Sequence, residues 1–597
     1  MKIKHLFGLA VIAAMSASCS SNEDLGTTGP GTGSNETGVG YATFTINLPT
    51  ASGTRAANDD FAEGTAKEYA VNDATLVIFE KGTETSENNY KFVEAVPLGN
   101  LEPWKKDNES TNGITTEATI TAKLNSAKVD EVGGKYYALV ILNNEATTGN
   151  KVTVPNGPTE TYGTWNIAAK VDATNLLDNK KGFYMANAPE FTTAGDEPTT
   201  LVPIKGIYRT KEEAQSKPGT TIHVERGLAK VTVKSSTKDY FAEGGANATG
   251  SNYSSDKVQI TNWALDVTNK HSFPVHVTSG LKDGTIISEG QTVEGYADIW
   301  KNTAAAGTTP ATSRFVSQLP AEGAFKRVYW GIDPNYSMGL SDFTKCEEQF
   351  TLATAKGTGV TWMNGSGSDN PLYCLENTFD INNMKQGQTT RVLLKATYTP
   401  SAVATEEDKT FFMIGNSTDI WTKTNLITQI TNKAKEALKK PTAELTVVLK
   451  GDLLTAGTHV LTESNVSIKE GETEKVDAEL VAKLNTKLGL DESKDLRIKT
   501  YQNGESYYIA RIKHFGDDLT PWAAGDETYG GKNLNWLGRY GVLRNNWYDL
   551  TINKISGPGY PDVPKVKPTD PDDEDTKYIS VSVKILDWAK RSQSVDL

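Results

Sequence analysis

The run ISVSVKIL, residues 579–586, places Ile579, Val581, Val583 and Ile585 on alternate positions, with Ser580, Ser582 and Lys584 between them. A period of two suits a half-buried β-strand and no helix. The same pattern stands near the other end of the chain. In ATFTINL, Ala42, Phe44, Ile46 and Leu48 alternate with Thr43, Thr45 and Asn47. Strand-like runs recur between them: ATLVIFE (74–80), YYALVILNN (136–144), TIHVERGLAKVTVKS (221–235), VQITNWALDVTN (258–269), TRVLLKATYTP (390–400), ESYYIARIKHF (505–515) and GVLRNNWYDLTINKI (541–555). The continuous apolar runs at 74–80 and 136–144 predict strands buried on both faces. A chain of 597 residues with 52 glycines and this patterning is expected to be mostly β. Its length allows two or more domains, and the boundary is expected near residue 225.

Two segments change period. In WTKTNLITQITNKAKEALKK, Leu426, Ile427, Ile430, Ala434, Ala437 and Leu438 share one helical face, and lysines fill the last turn. In EKVDAELVAKLNTKLGL, Val476, Leu480, Val481, Leu484 and Leu488 do the same, with Gly489 placed to end the helix. Both stripes are expected to face a core.

The first eighteen residues read as a targeting segment. Lys2, Lys4 and His5 precede the apolar LFGLAVIAAM, too short to span a bilayer, and small residues lead to Cys19. This resembles a lipoprotein signal, with Ser16 where leucine is usual, and it predicts lipidation of Cys19. The polar stretch after it is suited to a tether. An exposed loop, TASGTRAANDDFAEGTAKE, follows the first strand and carries Arg55 before Ala56, an accessible place for a protease. In an exported chain Cys346 and Cys374 meet an oxidising compartment, which allows them to pair if their Cα atoms lie within bridging distance.

Little in the sequence points to chemistry. Net charge of −13 argues against a nucleic-acid partner. The sequence has no HExxH, GxSxG, GxxxxGK[ST] or CxxC. His271 and His276, five apart, suit neither one helix face nor one strand face and are expected in loops or at an edge. The acidic run DPDDED (570–575) lacks the glycine turn and distal glutamate of a calcium loop. It is expected, with the rest of KVKPTDPDDEDTK, to be a solvated linker. No enzyme activity, cofactor or metal is expected.

Two alternating strands, one before a cleavable loop and one past a polar linker, fit a strand exchange between copies. A strand that leaves a sheet exposes a groove and two rows of unpaired backbone groups, and a strand of matching pattern can fill it. The chain resembles the fimbrillins of the Bacteroidales (type V pilins), most closely the stalk subunits of the short fimbria. The resemblance rests on the Cys19 start, YATFTINLPTASGTRAA, YYALVILNN, VERGLAKVTV, VLRNNWYDLTINKI and the ending ISVSVKILDWAKRSQSVDL.

It implies two β-sandwich-like, transthyretin-like domains with a few short helices, and export as a palmitate-type lipoprotein to the outer membrane. An arginine-specific protease would then cut at Arg55–Ala56, removing the strand of Ala42, Phe44, Ile46 and Leu48. The strand of Ile579, Val581, Val583 and Ile585 from another copy would enter the vacated place. The corresponding division is 1–18 signal, 19–55 propeptide, 56–225 and 226–565 β domains, 566–577 linker and 578–597 donor strand. Partners implied are copies of itself, anchor and tip subunits, and host or bacterial surface ligands. The role implied is a surface fimbria serving adhesion, auto-aggregation, biofilm formation and virulence. The alternative class is an anchored monomeric lipoprotein binding glycan or host protein, or a tip or anchor accessory subunit. A mature N-terminus at Ala56 rather than at Cys19 separates the two.

Overall fold

The computed structural model describes residues 39–48, 65–99, 101, 104, 116–168, 170–190, 198–236, 240–249, 252–278, 328–336, 338–380, 383–516, 520, 537–572, 579–586 and 591–592. The fold is mostly β. Its N-terminal part is built from β1 (Gly40–Asn47), β2 (Ala74–Glu80), β3 (Lys91–Pro97), β4 (Glu117–Leu124) and β5 (Tyr136–Leu142). The pair β6 (Val171–Asp172), β7 (Met185–Asn187), β8 (Val202–Pro203) and β9 (Thr220–Arg226) complete it. One sheet runs β3-β2-β5-β7-β9-β1-β4, with β8 beside β5. Leu76, Val77, Ile78 and Phe79 are all fully buried, as the unbroken apolar run requires. The Glu94 carboxylate on β3 accepts from the backbone N–H groups of Asn125, Ser126 and Ala127, just past β4. The two ends of the strand order are thereby tied together around the core.

The chain leaves this sheet at Arg226 and, after two intervening residues, enters another at β10 (Ala229–Ser235). β10 lies between Leu372–Cys374, antiparallel, and Trp547–Ile555, parallel. The tail strand Ile579–Leu586 follows Trp547–Ile555, and Arg591–Ser592 follows the tail. A second sheet holds Ala246–Asn247, Lys257–Asp266, Arg391–Thr399 and Glu505–Arg511. Val231, Val233, Leu550 and Ile552 of the first sheet share a core with Val258, Trp263, Leu394 and Tyr508 of the second.

Arg391–Thr399 pairs directly with Glu505–Arg511, yet over a hundred residues intervene. They form a lobe with its own core. Both expected helices are in it, at Lys423–Leu438 and Ala478–Lys487, and Leu426, Ile430, Ala434, Leu480, Val481 and Leu484 are buried there. Thr422 and Asp477 cap their N-termini through side-chain oxygens. Gly489, at φ +70°, ends the second helix in a conformation glycine adopts without cost.

One expectation fails, and one open possibility closes. The linker does not begin at residue 566. Val566 packs with Val267, Leu340, Cys346 and Phe350. Asp572 is fully buried, accepts from Thr389 Oγ1 at 2.6 Å and lies 3.5 Å from Arg511. A carboxylate met by an arginine and a hydroxyl can be buried where an isolated one cannot. Cys346 and Cys374 are unbonded and sit in different core clusters. Burial pushes the Cys346 thiol up to about 11 and the Cys374 thiol to about 12, so neither is a ready thiolate. Both thiols are expected to resist a water-soluble thiol reagent in the native protein and to react on denaturation without reductant. Peptide mapping under denaturing conditions checks this.

Candidate functional site

The N-terminal site begins with β1. It is an interior strand, antiparallel to β4 from Gly40↔Leu124 to Asn47↔Glu117 and parallel to β9 from Phe44↔Thr220 to Asn47↔His223. Both rows of its backbone groups are used. Tyr41 and Tyr208 add two reciprocal hydrogen bonds of 2.8 Å at its start, and Leu48 N–H donates to Thr116 O at its end. Ala42, Phe44, Ile46 and Leu48 are at most 1% exposed. The opposite face carries hydroxyls: Thr43 and Thr45 meet Thr121 and Thr119, and Asn47 donates to Glu117. Thr43 also donates to the carbonyl of Ala214, on the short helix Lys211–Ser216 that lies over this face. Gly40 is needed at the strand's start, because a Cβ there would come within 2.3 Å of Ile207 Cγ2.

The tail strand is held differently. Eight residues, Ile579–Leu586, pair with Trp547–Ile555 of the same chain, with a register shift between Ile552 and Lys554. Val581, Val583 and Ile585 stand opposite Ile552, Leu550 and Tyr548, which are all buried. Among the described residues, its far side pairs only with Arg591 and Ser592. It is close to an edge strand, while β1 is enclosed. Cys19, Arg55 and Ala56 lie outside the described residues; Leu48 and Thr65 bound the gap that contains Arg55.

Between these strands lies a polar junction. The Glu68 carboxylate accepts from Lys230 Nζ at 2.7 Å and from the Tyr373 hydroxyl at 2.6 Å, with Glu68 and Lys230 both about 1% exposed. Glu68 also accepts from the backbone N–H of Thr65, and its own carbonyl accepts from Arg226 Nε. Arg226 lies 4.5 Å over the Tyr69 ring and Lys230 3.9 Å over the Trp547 ring. Burial lowers the Lys230 pKa, and Glu68 pulls it the other way.

The segments VERGLAKVTV and VLRNNWYDLTINKI therefore meet in space. Asn545 N–H donates to Leu228 O and Lys230 N–H to Asn546 O. Trp547 Nε1 donates to Thr232. Arg544 is bound to Glu376 at 2.6 Å. His276, expected in a loop or at an edge, is buried between Glu225 at 2.8 Å and the Trp330 carbonyl at 3.1 Å. His271 is half-buried in the short pairing of His271–Ser272 with β6. No metal-ligating cluster occurs among the described residues.

Comparison with known proteins names the region. Residues 499–594 match the family model described as major fimbrial subunit protein type IV, fimbrillin, C-terminal. The matched stretch takes in both Trp547–Ile555 and the tail strand, so this part of the chain is similar to the C-terminal part of fimbrillins.

Among solved structures, a protein from Parabacteroides distasonis provisionally described as a cell adhesion protein is 12% identical, over 92% of this chain and 98% of that one, with a TM-score of 0.36. The fimbrilin FimA of Porphyromonas gingivalis is 12% identical over 92% and 99%, with a TM-score of 0.34. The tip fimbrial protein Mfa3 of the same organism, with a C-terminal truncation, is 12% identical over 92% and 100%, with a TM-score of 0.29. No curated protein matches.

Glu68→Ala is expected to destabilise the protein by about 3–5 kcal/mol, because it strands a buried lysine without its carboxylate. Denaturant unfolding measures this. A second buried acid gives a pH dependence. Burial raises the Asp333 carboxyl to about 7, against hydrogen bonds from Asn269, Thr378 and Asn335 that pull it down. A raised carboxyl contributes stability below its unfolded value, and that contribution is lost as pH rises through about 7. The native chain is expected to lose stability from pH 5 to pH 8 relative to Asp333→Asn, read from denaturant midpoints.

Proposed function

We propose that this fimbrillin is the stalk subunit of a surface fimbria and polymerises by donor-strand exchange after proteolysis. In this reading the precursor is lipidated at Cys19 and exported to the outer membrane. An arginine-specific protease cuts at Arg55–Ala56, and β1 leaves with the lipid-bearing segment. The observation that carries the reading is the position of β1. It is enclosed by two ladders, so its departure leaves an apolar slot with unpaired backbone on both sides. Phe44, Ile46 and Leu48 each stabilise by about 1.5–3 kcal/mol before entropy costs, so the open slot is strongly unsatisfied.

The tail strand has the same length as β1, eight residues. Near an edge it has one full ladder and a two-residue one. In the slot it would have the ladders that β1 has now. Each added hydrogen bond contributes about 0.5–1.5 kcal/mol net, which favours exchange once β1 is gone. The fimbrillin match over residues 499–594 supports a fimbrial role for the segment that contains the tail. Anchor and tip subunits, and adhesion to host or bacterial surfaces, belong to the same reading.

Arg55→Ala is expected to yield a longer monomer that does not polymerise. Deleting residues 578–597 is expected to give a soluble monomer with no polymer. Val583→Asp would place an unpaired charge in the slot and abolish polymers, while Lys584→Ser would leave them intact. Gel ladders of heat-resistant multimers, with N-terminal sequencing, check all four variants. Polymers of normal length from the deletion would overturn the reading.

A further inference from the structure

We propose that the loop after β4, residues 125–135, is a second docking surface between copies, with Val132 as its contact residue. The proposal rests on donor-strand exchange and specifies where the donor's body must sit. An incoming strand that keeps the sense of β1 keeps the eight-residue antiparallel ladder with β4. Reversing it would make the long β4 ladder parallel and only the four-residue β9 ladder antiparallel, and antiparallel pairing is the more stable per residue. In the kept sense Ile579 enters at the end of the slot that Gly40 vacates. In the donor, Asp572 is buried in its own body. Seven residue steps separate Asp572 from Ile579, a reach of at most about 25 Å. The donor's body is therefore held close to the Gly40 end of the slot.

That end carries the loop. Gly40 pairs with Leu124, and the loop follows at once. Val132 is 93% exposed at its tip and Val129 38% exposed on its flank. The loop is fixed. Asp130 exchanges two backbone hydrogen bonds with Ile207, and its carboxylate accepts from Gly133 and Lys135 N–H groups. Gly133 sits at φ +80°, so close to the chain that a Cβ would lie 2.4 Å from the Lys205 carbonyl. A valine held rigidly in water contributes nothing to this copy's own core, and contact with another copy would cover it.

The test uses protein cleaved at Arg55, with Val132→Asp compared against Val448→Asp, whose valine is 50% exposed on the inserted lobe. Assembly is followed by light scattering, and binding of a labelled peptide of residues 578–597 by fluorescence anisotropy. Val132→Asp is expected to slow assembly by about tenfold. Peptide affinity should stay at the native value, and Val448→Asp should assemble normally. Native-rate assembly of Val132→Asp overturns the docking surface while leaving strand exchange standing. Weakened peptide binding by Val132→Asp also overturns it, because the loop would then act through the slot. Assembly that survives deletion of 578–597 overturns strand exchange itself, and the docking surface with it.

Discussion

The structure depends on a requirement that strand β1 satisfies: every buried backbone N–H and C=O needs a partner. β1 supplies partners to β4 on one side and β9 on the other, and closes the N-terminal core with four apolar side chains. No edge strand could do this. The sheet curls until Glu94 on β3 reaches the backbone beyond β4, so β1 sits inside a nearly closed wall. The tail strand, with its single long ladder, is the reverse case: among the described residues it is fully paired on one side, where β1 is paired on both.

The polar junction places a second demand on the same region. Glu68 ends the segment TASGTRAANDDFAEGTAKE that was expected to be exposed, yet it lies in the short helix Ala66–Tyr69, is buried, and is bonded to Lys230 and Tyr373 of the other half. Chain that follows the loop is thus fastened to the C-terminal sheets independently of β1. Buried ions of this kind are costly to desolvate and depend on mutual pairing. They fix one geometry, because a shifted junction would separate Lys230 from both Glu68 and the Trp547 ring.

Much of this was legible in the sequence, and the reasons are local. Alternation marked β1 and the tail strand, and 3.6-residue spacing marked the helices at 423–438 and 478–487, down to Leu426 and Leu484 in their core. What was not legible depends on distant pairing. Glu68 and Lys230 are 162 residues apart, and Arg226 and Asn545 are 319 apart. VERGLAKVTV and VLRNNWYDLTINKI could be singled out, but not that they touch. Asp572 read as linker because an aspartate in an acidic run is normally solvated, and its buried partners Thr389 and Arg511 lie far away in sequence. Compartment alone left the pairing of Cys346 and Cys374 open, because it says nothing of their distance. Cys19, Arg55 and Ala56 rest on the sequence.

The inserted lobe has a consequence for variation. Its flanking strands, Arg391–Thr399 and Glu505–Arg511, are zipped together from Arg391↔Arg511 to Thr397↔Glu505. That ladder closes whatever chain is spliced between its ends, and the lobe has a core of its own. Substitutions, or exchange of the whole lobe, can accumulate there without disturbing the strands at either end of the molecule. The lobe can thus change its exposed face while the chain keeps one framework.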